Sequence, residues 1–420
     1  MKTHSGRWYF GWNIVAAAAL LTLLTVGLRL GIGPFFLPIA QDLGFSRSLL
    51  AAIIAVGMLC YGIGMPLAGY LVNARSTRFV LLLGTTVVFG SIVAAVYAQG
   101  PWSFFLSFGL GLSIGLALLS PVTVTPIISR WFTRRRGMAL FFLSTGSMAG
   151  IAVLTPLMGF LIQEIGWRGT LLAFAVLLTV ITVPVATLIM RDQAPEDTDT
   201  LHDSNTRTDP ASRHRAATVP DGSMTVRMAL KTWPFWQICM GLFACGYSMN
   251  LLGTHGVPML MDHGFDMMTS SFGIGLIGFA AIFSTLVLGR LSDTIQRKNI
   301  LACIYLLRGL GFFALVSVSV KWELYTAATI GGIVWAGSVA LSSAILADVY
   351  GVRLVGILYG WAFLGHQIAG MISSLLGGWA YETFDTHWIA FGSTGVLLIG
   401  AALVSYKLPK RALPARGVSR

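Results

Sequence analysis

Long apolar segments separated by short polar turns run along almost the whole chain. Twelve segments can be counted, each bounded by charged residues or by turns that contain Gly or Pro. Each is long enough to cross the hydrocarbon core of a bilayer, which needs about 20 apolar residues. We therefore predict twelve transmembrane helices, numbered segments 1 to 12: 11–40, 47–71, 78–98, 101–129, 137–164, 167–190, 233–261, 270–291, 299–319, 323–348, 354–381 and 387–406.

One polar stretch interrupts this pattern between segments 6 and 7. Residues 191–232 are rich in Asp, Ser, Thr, Pro and Arg, so the stretch cannot bury an apolar core and is predicted to be a mobile linker. The chain then divides into a six-helix bundle over 1–190, the linker, and a second six-helix bundle over 233–420. The predicted fold class is an all-α membrane protein made of two pseudo-symmetric bundles.

The composition supports a membrane protein and excludes several other classes. The chain is 55% hydrophobic and only 10% charged, whereas soluble domains carry about 25% charged residues. The first apolar stretch is longer than a signal-peptide core of about 7 to 15 residues, so it is interpreted as a retained helix. The four cysteines lie in apolar runs without paired spacing, which favours small core side chains over disulfides or a zinc site.

The distribution of basic residues predicts the orientation. If both termini and the linker lie on one side, 23 of the 28 Lys and Arg residues fall on that side. By the positive-inside rule that side is cytoplasmic. We therefore predict a multi-pass protein of a bacterial-type plasma (inner) membrane. The net charge of +12 thus reflects topology, and no nucleic-acid motif accompanies it, so no nucleic-acid partner is expected.

The loops after segments 2 and 8 echo each other, as expected for the internal repeats of secondary transporters. The second loop has the pattern G-x-L-x-D-x-x-x-R-K, and the first differs in having Asn where the acid stands. With these loops the chain resembles the major facilitator superfamily over its whole length. The loop residues concerned are Gly69, Asn73 and Arg78 in the first half and Gly289, Asp293 and Arg297 in the second.

Within that superfamily the chain is most similar to bacterial monocarboxylate-porter-like and oxalate/formate-antiporter-like members. The similarity lies in Gly11-Trp12, in Gly-Phe-Ser-Arg at 44–47 and in Trp-Phe-Thr-Arg-Arg-Arg-Gly-Met-Ala at 131–139. It implies alternating access and a cavity lined by segments 1, 4, 7 and 10. Ala281 and Thr285 stand where these porters have an Asp and an Arg, and His366 lies near the position of the exchangers' lysine. The family's binding residues are therefore not transferred.

The loop residues are predicted to act as a gate. A carboxylate such as Asp293 can interact with the positive N-terminus of a neighbouring helix and with Arg297, which would hold the cytoplasmic side closed in one state. A solvated turn with topological charges is the alternative. The gate of the first half lacks this charge because Asn73 replaces the acid.

Two arginines lie deep within apolar segments, and no Asp or Glu lies at a similar depth. An intramembrane charge is costly without a partner, and the planar guanidinium fits a carboxylate with two hydrogen bonds. An anionic substrate would supply the missing partner. Arg29, on segment 1, is predicted to contact it, with gating and structural roles as alternatives. Arg308, on segment 9 outside the cavity, is expected to bond backbone carbonyls or a helix end.

Other polar residues within the segments complete the candidate site. Histidine is the only buried side chain here whose ordinary pKa, about 6.5, allows proton exchange near neutrality, so His255 and His366 are candidates for both substrate binding and proton coupling. A structural hydrogen bond is the alternative for each. The remaining substrate-binding candidates are Tyr247, Asn250, Trp335, Tyr359 and Gln367.

These features predict a secondary active transporter for a small organic anion, in particular a monocarboxylate. Whether a proton, another ion or an exchanged anion is coupled stays open. Efflux of drugs or amino acids is the main alternative, and a non-transporting sensor or channel is a further one. Because no nucleophile–base set, phosphate loop or metal-ligand spacing occurs, no enzymatic activity, cofactor or metal is expected. We expect a monomer whose only other partner is the lipid bilayer.

Overall fold

The computed structural model describes residues 9–132, 136–193, 224–335 and 337–409. All regular secondary structure in these ranges is helical. The helices of the first half are, in segment 1, Gly11–Leu30 and Gly33–Leu43; in segment 2, Arg47–Ala74; in segment 3, Thr77–Val96; in segment 4, Pro101–Phe104, the π-helical Phe105–Gly111, Leu112–Leu118 and Pro121–Trp131; and in segments 5 and 6, Arg136–Pro184 followed by the π-helical Val185–Ile189.

The second half repeats this arrangement. Its helices are Val226–Leu230 before segment 7; Trp233–Asp262 in segment 7; Met267–Thr294 in segment 8; Arg297–Val316 in segment 9; Lys321–Ile333 and Gly337–Tyr350 in segment 10; Val352–Phe384 in segment 11; and Trp388–Tyr406 in segment 12.

The predicted linker is only partly described, because residues 194–223 lie outside the described ranges. Its last part is ordered into the short helix Val226–Leu230. Thr225 caps this helix by accepting a hydrogen bond from the amide of Met228 at 3.3 Å, and Ala229 is fully buried. The helix forms because it packs its apolar face against the core of the second half, which the polar composition of the stretch did not indicate.

The twelve predicted spans are confirmed. Ten helices in the described part of the chain are long and apolar enough to cross a membrane. One of them, Met138–Ile189, provides two spans, because the backbone turns at Gly166, where φ is +70°. The helix Trp233–Asp262 is not among the ten, although it is 30 residues long. It buries polar residues such as Asn250 and His255, which lower its hydropathy.

A repeated turn reveals the pseudo-symmetry of the two halves. Segment 1 is followed by Gly44 and segment 7 by Gly264, and both residues have the positive φ that favours glycine, +65° and +89°. A buried phenylalanine follows each glycine. The next residue then caps the following helix: Ser46 accepts from an amide of segment 2, and Asp266 from Thr269 of segment 8. The side-chain and backbone hydrogen bonds from Thr269 lower the pKa of Asp266.

Segment 1 is broken into two helices. Its first helix ends at Leu30 and a second begins at Gly33, with Pro34 in the first turn, where proline is tolerated. Behind the break, segment 1 packs closely on segment 5: a Cβ at Gly150 would lie 2.4 Å from the carbonyl oxygen of Leu23. Close approach of these helices therefore fixes the position of Arg29 beside the break.

Candidate functional site

The contact between the two halves is strongest at one end of the molecule. We call this the far end: it holds the turns between segments 1 and 2 and between segments 7 and 8, and the opposite end is the near end. Among the described residues, the ion pair that joins the halves is Arg47 with Asp262, through Nη1–Oδ2 at 2.5 Å and Nη2–Oδ1 at 2.9 Å. His387 Nε2 lies 2.8 Å from the same carboxylate. These three residues form the far-end clamp.

Close packing accompanies the clamp. Segment 11 of the second half lies against segment 2 of the first, and a Cβ at Gly378 would be 2.5 Å from that of Ala51. One helical turn before Gly378, Ser374 Oγ donates a hydrogen bond to the carbonyl oxygen of Ala51 at 3.3 Å. Segments 2 and 11 are therefore in direct contact at the far end.

The same face of segment 11 loses its contacts toward the near end. This face contains Gly356, Gly360, Gln367, Ser374 and Gly378, because each is about one or two helical turns from the next. Gln367 still packs on segment 2, 3.0 Å from where a Cβ at Gly62 would lie. At Gly360 and Gly356 nothing lies within 4 Å of an added Cβ. The halves thus separate beyond Gln367, and the gap opens toward the near end.

Arg29 lies where this contact ends. Its Nη2 donates to Asn250 Oδ1 at 3.0 Å and to Gln367 Oε1 at 2.9 Å, and both acceptors belong to the opposite half. Its guanidinium carbon lies 4.3 Å from the centroid of the Tyr61 ring. No described Asp or Glu forms an ion pair with it. Among the described residues, the hydrogen-bond partners of the Arg29 guanidinium are therefore two neutral amides.

The orientation of Asn250 is fixed by its own helix. Its Nδ2 donates to the carbonyl oxygen of Gly246 at 2.7 Å, so its amide oxygen is left to accept from Arg29. A Cβ at Gly370 would lie 2.4 Å from the same Nδ2, so segment 11 can approach the amide only because it has glycine there. The amide is thus aimed at the guanidinium before any ligand arrives.

A small cavity adjoins the Arg29 side chain between segments 1, 2 and 4. The volume of this cavity is about 50 Å³, which is room for roughly three to five waters. The π-helical part of segment 4 contributes to its wall, and π-helical turns are frequent at functional sites. Apart from the arginine, the walls are mostly apolar, and they include Ile54, Met58, Tyr61, Phe108 and Leu112.

Three predicted site residues of segment 11 line up beside this cluster. His366 precedes Gln367 and stacks on Phe363 with ring centroids 4.7 Å apart. Tyr359 also stacks on Phe363, with ring centroids 5.6 Å apart. The structure therefore brings His366 next to the amide that holds Arg29, and it places Tyr359 farther toward the near end.

His255 lies closer to the far end. Its Nε2 is 2.9 Å from the carbonyl oxygen of Ser374, and its ring lies 5.0 Å from that of Phe36 in the first half. The imidazole is 3% exposed. It is therefore part of the closed contact between the halves and does not touch Arg29.

Two other candidates point away from Arg29. Tyr247 Oη lies 3.2 Å from Ser393 Oγ on segment 12. Trp335 packs under the guanidinium of Arg308, whose central carbon lies 4.0 Å from the ring centroid. The expected partners of Arg308 are also corrected: Nη1 contacts Cys245 Sγ and Ser338 Oγ, not a backbone carbonyl or a helix end. The long arginine side chain reaches inward from segment 9, which the numbering of helices alone did not predict.

The gate loops are partly described. Arg297 Nη1 bonds both oxygens of Asp348, at 2.8 and 2.9 Å, within the second half. Gly69 packs toward segment 4, and Asn73 and Arg78 are exposed. Gly289 and Asp293 lie outside the residues whose surroundings are described, so the predicted gating role of Asp293 stays a prediction.

Sequence reasoning did not single out Tyr61 or the far-end clamp. Tyr61 is an aromatic residue within segment 2, and nothing in its spacing distinguishes it from core aromatics. Arg47 and Asp262 lie at the ends of segments, where charges usually serve topology. Only the meeting of the two halves reveals that these charges pair.

Comparisons with known proteins agree with this architecture. A family model described as Major Facilitator Superfamily matches residues 15–321 and 274–419. The uncharacterized MFS-type transporter YcxA of Bacillus subtilis is 23% identical and covers 89% of each chain. Monocarboxylate transporter 11 of Homo sapiens is 26% identical over 98% of this chain and 85% of its own. The crystal structure of a bacterial homolog to the human lysosomal transporter Spinster, inward-facing and occupied, has a TM-score of 0.70 at 15% identity, covering 96% of this chain and 97% of that one.

Proposed function

This chain belongs to the major facilitator superfamily and is a multi-pass membrane transporter, and we propose that its substrate is a small organic anion, in particular a monocarboxylate. The observation that carries this proposal is the arginine at the end of the contact between the halves. Arg29 is held by two neutral amides of the opposite half and by no described carboxylate. A substrate carboxylate would replace the amide oxygens with a charged acceptor, and hydrogen bonds between charged partners are about twice as strong as neutral ones.

The surroundings of Arg29 suit a substrate that is charged at one end only. A guanidinium binds a carboxylate through two parallel hydrogen bonds, and the adjoining cavity is walled mostly by apolar side chains. Binding sites of this kind use a few polar groups for orientation and apolar surface for the rest of the ligand. Relatives that are named monocarboxylate transporters support the substrate class at 22% to 26% identity.

Transport follows if substrate binding differs between two arrangements of the halves. In this arrangement the far-end clamp is closed and the gap opens at the near end. With both termini in the cytoplasm of a bacterial inner membrane, as the basic residues favour, this arrangement is inward-facing. Opening the far end must break the Arg47–Asp262 pair and move Asn250 and Gln367 relative to Arg29. Substrate on Arg29 would compensate for the lost amide contacts during that movement.

His366 is the proposed proton carrier for a symport mechanism. It is adjacent to Gln367, the amide that holds Arg29, so a proton on its imidazole would add positive charge near the guanidinium. An anion bound there would favour that proton, and the proton would favour the anion, because opposite charges within about 4–6 Å stabilise one another. His255, buried in the closed contact, is the second candidate.

Reconstitution into proteoliposomes tests this function. Labelled mono- and dicarboxylates, amino acids and cationic drugs are offered with and without an inward-directed proton gradient. We expect uptake of a monocarboxylate that the gradient accelerates, and loss of that acceleration in His366→Gln. Transport of cationic drugs with no carboxylate uptake would overturn the anion assignment. Carboxylate uptake at the same rate with and without the gradient would overturn proton coupling but would leave the anion assignment in place.

A further inference from the structure

A second arginine is buried inside the second half, without a counterion among the described residues. Arg308 is 1% exposed. Its Nη1 reaches Ser338 Oγ at 3.4 Å and Cys245 Sγ at 3.6 Å, which are long contacts to neutral groups. Its Nε and Nη2 have no hydrogen-bond acceptor in the described structure. A buried charge is costly unless it is both paired and hydrogen-bonded, so this site is incomplete as an arrangement of protein groups.

A second donor without a partner lies beside the guanidinium. The Nε1 of Trp335, whose ring lies under the guanidinium, also has no acceptor among the described residues. An indole N–H can only donate, and so can every nitrogen of an arginine. A group that satisfies these donors together must be an acceptor, and the guanidinium charge favours a negative one.

The space beside Arg308 limits the size of that acceptor. A cavity between segments 7, 8, 9 and 10 is lined by Arg308, Trp335, Leu252, Ile277, Phe312 and Gly331. The volume of this cavity is about 20 Å³, which is room for roughly one or two particles of the size of water. A carboxylate with an organic tail does not fit there. A halide ion has both the required charge and the required size.

We propose that Arg308 and Trp335 bind a halide ion, such as chloride, inside the second half. This is a second anion site, separate from the one at Arg29, and it does not depend on the identity of the transported substrate. All the residues that line it belong to the same half. The ion is therefore bound equally in both arrangements of the halves, so it stabilises the second half without driving transport.

Halide-dependent thermal unfolding of the purified full-length protein tests the proposal. The protein in detergent is transferred into sodium methanesulfonate, whose anion is not a carboxylate, and chloride or bromide replaces methanesulfonate at constant ionic strength. We expect the unfolding temperature to rise and to saturate with either halide, as for a ligand that binds the folded state. An unfolding temperature that is indifferent to halide would overturn the site.

Variants assign the effect to these residues. Arg308→Gln should abolish the halide-dependent rise, whereas Arg29→Gln, which removes the other intramembrane arginine, should retain it. Trp335→Phe keeps the ring under the guanidinium but removes the N–H, and it should raise the half-saturating bromide concentration roughly tenfold. If Arg308→Gln does not fold, Trp335→Phe decides: a half-saturating concentration equal to that of the unmodified protein contradicts the proposal.

Discussion

The two intramembrane arginines differ in where their partners lie. Arg29 reaches across the interface to Asn250 and Gln367, whereas Arg308 contacts Cys245, Ser338 and Trp335 of its own half. When the halves move, the first guanidinium must exchange its partners, while the second moves together with them. A mobile set of partners suits a site that takes up and releases a substrate. A constant set suits an ion that stays bound.

The strongest way to break this comparison is to give Arg29 a permanent counterion. In Asn250→Asp the new carboxylate would pair with the guanidinium and compete with the substrate. Since a hydrogen bond to a charged group contributes about 1.5–3 kcal/mol, we expect roughly a 10- to 100-fold loss of carboxylate uptake. Asn250→Ala, which removes the amide without adding charge, should lose less. Uptake in proteoliposomes measures both, and equal losses would mean that competition by charge is not the cause.

A steric change at the far end should separate Arg29 from the amides of Asn250 and Gln367 without altering any of these three residues. A side chain at Gly378 would collide with Ala51 in the closed arrangement, and overpacking of this kind costs about 1–3 kcal/mol. In Gly378→Val we expect roughly tenfold faster thiol labelling of a cysteine at Ser374 in a background without native cysteines. The matched change Gly360→Val lies on the same face in open space. If both variants label alike, the far end is not closed by this contact.

Removing one amide should shift the same equilibrium by less. Gln367→Leu deletes one acceptor of Arg29, and a hydrogen bond of about 1 kcal/mol corresponds to roughly a fivefold faster labelling of the Ser374 cysteine. Gln237→Leu is the control, since Gln237 bonds only within its own half, to the carbonyl oxygen of Val404. A shift of equal size in the control would show that buried glutamines act on stability and not on the interface.

The smallest expected effect comes from the gate loop of the first half. Asn73→Asp restores the acid of the repeat, and a charge near a helix end contributes about 0.3–1 kcal/mol. We expect the near end to close more often, so that the Ser374 cysteine is labelled roughly two- to threefold faster. Asn73→Ser, polar and uncharged, should label at the original rate. Labelling of Asn73→Asp at the original rate would contradict a gating role for this loop.

Hydropathy and turn chemistry predicted most of the fold. The break in segment 1 and the turn at Gly166 both follow from local residues, because glycine adopts a positive φ without strain and proline cannot continue a preceding helix. The short helix Val226–Leu230 was not predicted, because it depends on packing against the second half.

The candidate site was predicted as individual residues and not as an arrangement. The sequence predicted Arg29, Asn250 and Gln367 separately, each as a polar residue within an apolar segment. Their contacts join positions 221 and 338 residues apart, and no local pattern specifies such pairs. Knowing which segments line a cavity does not tell which face of each helix turns inward. Tyr247 and Trp335 therefore lie on cavity segments but contact Ser393 and Arg308 instead.

The most direct test of the account compares a charged ligand with its uncharged counterpart. Binding to purified protein is measured by calorimetry for the monocarboxylate that is taken up fastest and for its primary amide. The control is Lys321→Gln, which removes an exposed cation of the far end. We predict that the carboxylate binds more tightly than the amide in the unmodified protein and in Lys321→Gln, and that Arg29→Gln reduces this preference by roughly 10- to 100-fold. An undiminished preference in Arg29→Gln would contradict the assignment of Arg29 as the anion ligand.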